Sequence, residues 1–131
     1  RSYLDAGKVV PFSGTSEILP GLTGTVHPGH TPGSAFYTLE SKGEKITFVG
    51  DIIHAAAVQF PQPAVTITYD EDENKAASVR EQAFADFVKN KDLIAAPHLP
   101  FPGIGYVTKG EKGGYAWVPV TYTNRDASSA K

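Results

Sequence analysis

The sequence has 131 residues, of which 40% are hydrophobic and 20% charged, values typical of one packed domain and not of a disordered chain. A formal net charge of −2 without a basic cluster, and apolar runs of only a few residues, argue against nucleic acid and membranes as partners. There is no cysteine, which excludes disulfides and thiolate ligands, so any metal site must use histidine and carboxylate.

The first half of the chain predicts short strands separated by turns. Residues 1–7, RSYLDAG, are typical of the last turns of a helix that ends at Gly7. Strand-like segments follow at residues 8–12, 17–19 and 22–27. The alternating segments 34–40 and 45–51, joined by the turn SKGE, predict a β-hairpin.

The second half predicts one long helix among strands. Segment 72–90 carries its apolar side chains at helical spacing: Ala76, Val79, Ala83, Phe84, Phe87 and Val88. Asp70 or Asp72 is the expected N-cap. The other predictions are a short strand or extended segment at 64–69, a strand at 92–98, an antiparallel pair at 103–109 and 115–123, and a frayed tail at 124–131. These elements indicate an α/β layer, in which the helix covers one face of a sheet.

Histidines and an aspartate follow several of the predicted strands. His30 lies in a Pro-Gly-His-Thr-Pro-Gly turn, Asp51 follows ITFVG, and His98 ends LIAAPH. Residues just past the carboxyl ends of strands tend to meet at one edge of a sheet, and imidazole and carboxylate suit a zinc-type ion. Taken singly, each residue is more often an exposed polar group or a turn residue that bonds nearby backbone amides.

Two further histidines have less defined roles. His27 precedes His30 by three positions, but the intervening proline and glycine fix no helical face, so we expect a structural or incidental role. His54 follows Asp51 by three positions. It could support a ligand from behind, line a pocket or be merely polar, and the sequence leaves these alternatives open.

The order of these motifs resembles the C-terminal half of the metallo-β-lactamase-fold hydrolases. The segments PGHTPGSAFYTLE, ITFVGD and LIAAPHLPFPG, with a helix between the last two, are most similar to the lactonase and organophosphate-hydrolase-like branch. The resemblance extends from about residue 10 to residue 122. It implies half of an αβ/βα sandwich, in which residues 1–131 form a single unit: a mainly antiparallel mixed sheet covered by a helix.

The resemblance also implies a dinuclear metal site. By position, His30 matches a ligand of one metal, Asp51 matches the carboxylate that bridges both metals, and His98 matches a ligand of the second. Ser34 stands where many members carry another histidine, so Ser34 and His54 are candidates to line the pocket or support the ligands. Two divalent ions, with zinc the first choice, would activate a hydroxide that attacks an ester, lactone or phosphotriester, which makes Asp51 the catalytic carboxylate.

The H-x-H-x-D-H loop of that family is not in this sequence. The resemblance assigns this loop to the N-terminal half, so we expect a piece of a longer protein whose other half brings the remaining ligands. The 131-residue chain alone is then expected to be metal-free and inactive. Any targeting segment would lie upstream, so the location, cytoplasmic or periplasmic, stays unknown.

A second hypothesis is a non-catalytic half-domain that dimerises or binds a partner. A half-domain exposes an apolar sheet face that would otherwise be covered. The candidates for that face are Phe36, Leu39, Ile46, Phe48, Ala95 and Trp117. A third hypothesis is a degenerate relative that kept the fold and lost catalysis. An H-x-H-x-D-H loop encoded upstream would favour the enzyme.

Overall fold

The computed structural model describes residues 2–122, which form a seven-stranded mixed sheet with a long helix on one face. The expected frayed tail at residues 124–131 lies outside the described residues. The strands are β1 (Thr15–Leu19), β2 (Leu22–Val26), β3 (Ala35–Ser41), β4 (Glu44–Phe48), β5 (Leu93–Ala95), β6 (Ile104–Lys109) and β7 (Tyr115–Pro119). The helices are α1 (Ser2–Asp5), α2 (Ala56–Gln59) and α3 (Glu73–Asn90), with a 3-10 turn at Gly50–Ile52.

The strands lie in the sheet in chain order, β1 to β7. Neighbouring strands are antiparallel except β4 and β5, which run parallel. A parallel pair needs a crossover connection, and α3 lies within the one between β4 and β5. The expected α/β architecture, a mainly antiparallel mixed sheet covered by a helix, is confirmed. Within residues 2–122 no helix has the length and apolar character needed to cross a membrane.

Helix α3 packs through the face that the sequence pattern predicts, with one addition. Its N-cap is Asp72, whose side chain accepts a hydrogen bond from the backbone nitrogen of Lys75 at 3.0 Å. The buried residues are Ala76, Arg80, Ala83, Phe84 and Phe87. Val79 and Val88 are partly buried against the same core. The addition is the fully buried Arg80, which an apolar pattern does not detect.

The core lies between α3 and the covered face of the sheet. Phe84 of the helix and Ile94 of β5 are fully buried. The ring of Phe60 stacks on Phe84 at 5.0 Å and on Trp117 at 5.7 Å between centroids. Burying a side chain of this size contributes roughly 1.5–3 kcal/mol, so this layer holds the helix on the sheet.

The predicted strand at residues 8–12 is wrong, because these residues form no ladder. The segment contains Pro11, which has no N–H to donate to a neighbouring strand. It is held instead by Phe12, whose ring packs edge-on against Tyr37 with centroids 6.1 Å apart. The same ring covers Gly24, where a Cβ would come within 2.9 Å of it.

Of the two alternatives for residues 64–69, a strand or an extended segment, the strand is wrong, because these residues form no ladder and include turns. The backbone groups of this segment bond to buried side chains rather than to another strand. The carbonyl of Val65 accepts from Gln59 Nε2 at 3.2 Å and from Arg80 Nη1 at 2.8 Å. The amide of Ile67 donates to Asp70 Oδ2 at 3.1 Å. Branched side chains favour strands, but these buried polar partners decide the local conformation.

The six apolar residues expected on one exposed face of the sheet do not all share a face, because side chains alternate between the two faces. Four of the six lie on the face opposite α3: Leu39, Ile46, Phe48 and Ala95. Phe36 is buried on the covered face, and Trp117 packs against the core there. The strand period of two separates residues an odd number of positions apart onto opposite faces.

Candidate metal centre

His30 lies in a turn after β2 that docks directly onto the start of α3. The backbone nitrogens of Glu71 and Asp72 donate to the carbonyls of His30 and Gly29 at 3.0 and 3.1 Å. A Cβ on Gly29 would lie only 2.7 Å from the backbone nitrogen of Ala76. Glycine is therefore required here for a close approach of two backbones.

Ser34 and His27 hold the two ends of this turn. The hydroxyl of Ser34 accepts from the Thr31 backbone nitrogen at 3.0 Å and lies 2.9 Å from the Thr31 hydroxyl. The ring of His27 stacks on Phe36 with centroids 4.0 Å apart. Burial lowers the pKa of His27, and the negative charge of Asp86 partly opposes this shift. The packing agrees with the structural role expected for His27.

Asp51 lies in the 3-10 turn Gly50–Ile52, just past the end of β4. Strand β4 ends at Phe48, whereas the sequence predicted a strand that extends to Asp51. The Asp51 side chain is 46% exposed. Oδ2 lies 3.5 Å from His30 Nε2, and Oδ1 lies 3.2 Å from His98 Nε2. One carboxylate therefore faces two imidazoles, with one oxygen directed at each.

His98 reaches this position because β4 and β5 are parallel neighbours. The carboxyl ends of parallel strands share an edge of the sheet, so the turns that follow β4 and β5 meet there. Strand β5 ends at Ala95, whereas the sequence predicted a strand that extends to residue 98. The turn is closed by the amide of Ala96, which donates to the Gly103 carbonyl at 2.9 Å, and anchored by buried Leu99.

His54 lies between the other two imidazoles. Its ring centroid is 5.0 Å from that of His30 and 4.5 Å from that of His98. Its backbone nitrogen donates to the Oε1 of buried Gln59 at 2.7 Å. Its Nδ1 is buried and has no hydrogen-bond partner within residues 2–122.

The electrostatic surroundings favour a neutral His54. Burial lowers its pKa most, and the neighbouring His98 and His30 lower it further. The carboxylates of Asp51 and Asp70 oppose the shift. A neutral imidazole keeps a lone pair that can bind a cation.

The donor set fits a divalent cation of the zinc type. Donor atoms of His30, Asp51 and His54 lie within 4.8 Å of one another, and the buried Nδ1 of His54 lacks a partner among the described residues. Imidazole nitrogen and carboxylate oxygen are ligands that zinc takes in proteins, where four ligands complete a site. The arrangement brings together all the residues that the sequence singled out here except Ser34, whose hydroxyl bonds within its own turn.

Sequence reasoning missed two residues that lie behind His30. Asp70 Oδ1 lies 2.9 Å from His30 Nδ1, although Asp70 was considered only as a helix cap. Arg80 lies 3.5 Å from the other oxygen of Asp70. One signal was available: Arg80 falls between Ala76 and Phe84 on the apolar face of α3, and a charge there needs a buried partner.

A cavity of about 240 Å³ opens beside the candidate centre, between the His30 turn and α3. Its lining includes His27, His30, Ser34, Phe36, Asp51 and Arg80. It offers both apolar surface and polar groups next to the imidazoles, which is typical of small-molecule sites.

Comparisons with known proteins place this geometry in a family. The family model of the metallo-beta-lactamase superfamily matches residues 1–112, and no curated protein matches the sequence significantly. The solved hydrolase AbOPH of the beta lactamase superfamily is 40% identical, with a TM-score of 0.85 over 94% of this chain and 42% of its own. AidC, a dizinc quorum-quenching lactonase, is 28% identical, with a TM-score of 0.83 over 91% of this chain and 40% of its own.

A probable metal-dependent hydrolase from Staphylococcus aureus shares the fold at 20% identity, with a TM-score of 0.62 over 89% of this chain and 42% of its own. The chain thus spans less than half the length of each of these three proteins. Because the family model covers most of the sequence and the AbOPH likeness covers nearly all of it, the chain belongs to the metallo-beta-lactamase superfamily.

Proposed function

We propose that this chain carries part of a dinuclear metal centre in a hydrolase of esters, lactones or phosphotriesters. The observation that carries the proposal is the carboxylate of Asp51, whose two oxygens face His98 and His30 at 3.2 and 3.5 Å. Such a carboxylate would hold both ions of a dinuclear centre. Family membership and the description of AidC as a dizinc lactonase support divalent metals and a hydrolytic reaction.

Each residue has a distinct role in this proposal. His30 and Asp51 would hold one ion, and Asp51 and His98 the other, with His54 as an additional donor or a wall of the pocket. The ions, zinc the first choice, would polarise a substrate oxygen and lower the pKa of a water molecule. The side chains hold these charges in place, and the cavity beside His30 would receive part of the substrate.

The number of protein ligands for each ion is the basis for proposing a second polypeptide segment. These residues supply two protein ligands to each ion with one shared, or three to one ion with His54, which is fewer than four. We propose that the remaining ligands come from a second segment, either a preceding half of a longer protein or another copy of this chain. The isolated chain is then inactive and holds metal weakly.

Substitution of the ligands tests the catalytic proposal in the natural protein that contains this chain. Asp51→Ala or His98→Ala should reduce hydrolysis of a lactone and of a phosphotriester to the uncatalysed rate, because each substitution removes a ligand of the ions. Glu111→Ala is the control, because Glu111 is exposed in the turn between β6 and β7, and its rate should equal that of the wild type. Wild-type turnover in either ligand variant would overturn the assignment.

Metal content tests the proposed incompleteness. The purified 131-residue chain, dialysed against zinc and then against buffer, should retain close to no zinc by elemental analysis. One or more retained ions per chain would contradict a partial site. It would mean that the chain completes the centre alone or by pairing with itself.

A second candidate function is an interaction module, and the open face of the sheet favours it. Five large apolar side chains on that face are between 38% and 46% exposed: Tyr37, Leu39, Phe48, Tyr106 and Val118. An exposed apolar patch marks an interaction surface. Sedimentation velocity over a range of concentrations should show dimers if this is the function. A monomer at every concentration would exclude self-association as the function of this face.

A further inference from the structure

The buried ion pair of Asp70 and Arg80 lies directly behind the candidate metal centre, and Asp70 contacts His30. His30 Nδ1 is 2.9 Å from Asp70 Oδ1. An ionised carboxylate can only accept hydrogen bonds, so Nδ1 must carry the hydrogen. The other ring nitrogen, Nε2, is the one that faces Asp51. In the neutral ring, Nε2 then carries the lone pair that a metal requires.

The carboxylate of Asp70 is held at both oxygens. Oδ1 accepts from His30, and Oδ2 accepts from the backbone nitrogen of Ile67 at 3.1 Å. Arg80 Nη2 approaches Oδ2 at 3.5 Å as an ion pair. Asp70 is 6% exposed, so it cannot exchange these partners for bulk water. Its orientation is therefore determined by the protein.

Arg80 connects the same carboxylate to the turn that presents Asp51. Its Nε donates to the carbonyl of Ile52, the residue after Asp51, at 2.6 Å. Its Nη1 donates to the carbonyls of Pro63 and Val65, both at 2.8 Å. One guanidinium thus holds the Asp51 turn and the segment before α3 in a fixed relation.

The position of the Asp70–Arg80 pair indicates a role other than stabilising the core. Arg80 lies on the apolar face of α3 between Ala76 and Phe84 and is fully buried. Burial lowers the pKa of Arg80, and the charge of Asp70 opposes that shift. Well-packed apolar residues often stabilise a core as well as a buried ion pair does, so the charge pair itself is weak evidence for a role in stability.

We propose that Asp70 and Arg80 are a positioning pair for the candidate centre. Asp70 fixes His30 as the Nδ1–H tautomer with Nε2 toward Asp51, and Arg80 fixes the Asp51 turn through the carbonyl of Ile52. Two ligands are thereby oriented before a metal binds. Neither residue of the pair is a ligand itself. The tautomer of His30 does not depend on the proposed function. The benefit of that tautomer for metal binding rests on the proposed function.

The first experiment reads the tautomer in the metal-free chain. Long-range proton–nitrogen NMR correlation of the ¹⁵N-labelled protein distinguishes the two ring nitrogens at about pH 8, above the ordinary histidine pKa. We expect a protonated Nδ1 and an unprotonated Nε2 in His30. The opposite tautomer, or rapid exchange between the two, would overturn the proposal. No metal or activity is needed, so a failure of the proposed function would not affect this result.

The second experiment measures zinc affinity in the natural protein by competition with a chromophoric chelator. Asp70→Asn turns one acceptor into a donor, so His30 or Ile67 loses its partner, and we expect affinity to fall about 10–100-fold. The matched control is Asp92→Asn. Asp92 is 7% exposed and lies 2.6 Å from Lys45, at the opposite end of β5 from His98.

Comparison of the two variants separates positioning from general loss of stability. Asp92→Asn should keep wild-type zinc affinity even if it lowers the melting temperature. Equal affinities in all three proteins, or equal losses in both variants, would overturn the role of Asp70. If Asp70→Asn does not fold, the tautomer measured in the wild-type chain still decides the proposal.

Discussion

At the residue scale, the two nitrogens of one imidazole have separate tasks. His30 Nδ1 bonds to Asp70, and Nε2 faces Asp51. This division is the usual way in which a protein orients a histidine ligand. His27, only three positions earlier, has no such arrangement and instead stacks on Phe36. The chemical role of a histidine here follows from its partners and not from its residue type.

The partly buried ring of His27 makes stability depend on pH. Burial lowers its pKa below 6.5, the ordinary value that it recovers in the unfolded chain. As the pH falls through 6.5, the unfolded state takes up a proton before the folded state does, so the free energy of unfolding decreases. Above that pH both states are neutral and the full stability is present. His54 shifts in the same direction.

We therefore expect the urea midpoint of the metal-free chain to fall between about pH 7 and pH 5. In His27→Gln the fall should be smaller, because one of the two shifted imidazoles is removed. Trp117 fluorescence can follow unfolding, because this residue packs against the core. The same pH dependence in variant and wild type would contradict the prediction.

At the element scale, the contact between the His30 turn and α3 determines where His30 lies. The turn and the helix start share two backbone hydrogen bonds. Gly29 permits this contact, because any side chain there would meet the backbone of Ala76. The N-cap Asp72 takes part as well, with its side chain bonded to Lys75 and its own amide bonded to Gly29.

Gly29→Ala should separate the turn from the helix. The new methyl group would lie 2.7 Å from the backbone nitrogen of Ala76, and overpacking of this kind costs about 1–3 kcal/mol. Gly33→Ala in the same turn is the matched control, because its Cβ would meet nothing within 4 Å. Urea unfolding of both variants measures the difference. Equal stability of the two variants would show that the close approach is not required.

At the scale of the whole molecule, the sheet has two unlike faces. One face is covered by α3 and contains the core residues Phe36 and Ile94. The opposite face exposes apolar side chains, including Tyr37 paired with Phe48 across β3 and β4. A second segment could therefore bury this face and, from the neighbouring edge, bring ligands to Asp51.

Phe48→Lys places a charge in the middle of the open face and should weaken any association through it. Gln82→Lys adds the same charge on the exposed side of α3 and should leave association unchanged. Sedimentation velocity compares both variants with the wild type. Unchanged association in Phe48→Lys, or an equal loss in Gln82→Lys, would show that the open face is not the surface used.

Much of the fold was predictable because its signals are local. The hairpin β3–β4, helix α3 with its cap Asp72 and the pair β6–β7 all follow from alternation, helical spacing and turn residues. The predictions failed at residues 8–12 and 64–69, where composition favoured strands. The conformation of those segments is decided by Pro11 and by hydrogen bonds to the buried side chains of Asp70 and Arg80.

The order of the elements and the kind of donor available to a metal follow from spacing and residue type, which are local properties of the chain. The groups that lie behind those donors are brought there by the fold. Asp70 is 40 positions from His30, and Arg80 is 28 positions from Ile52. No periodic pattern links residues at such separations. They are partners because the crossover between parallel strands places α3 beside the turns that carry His30 and Asp51, where buried polar groups must find partners.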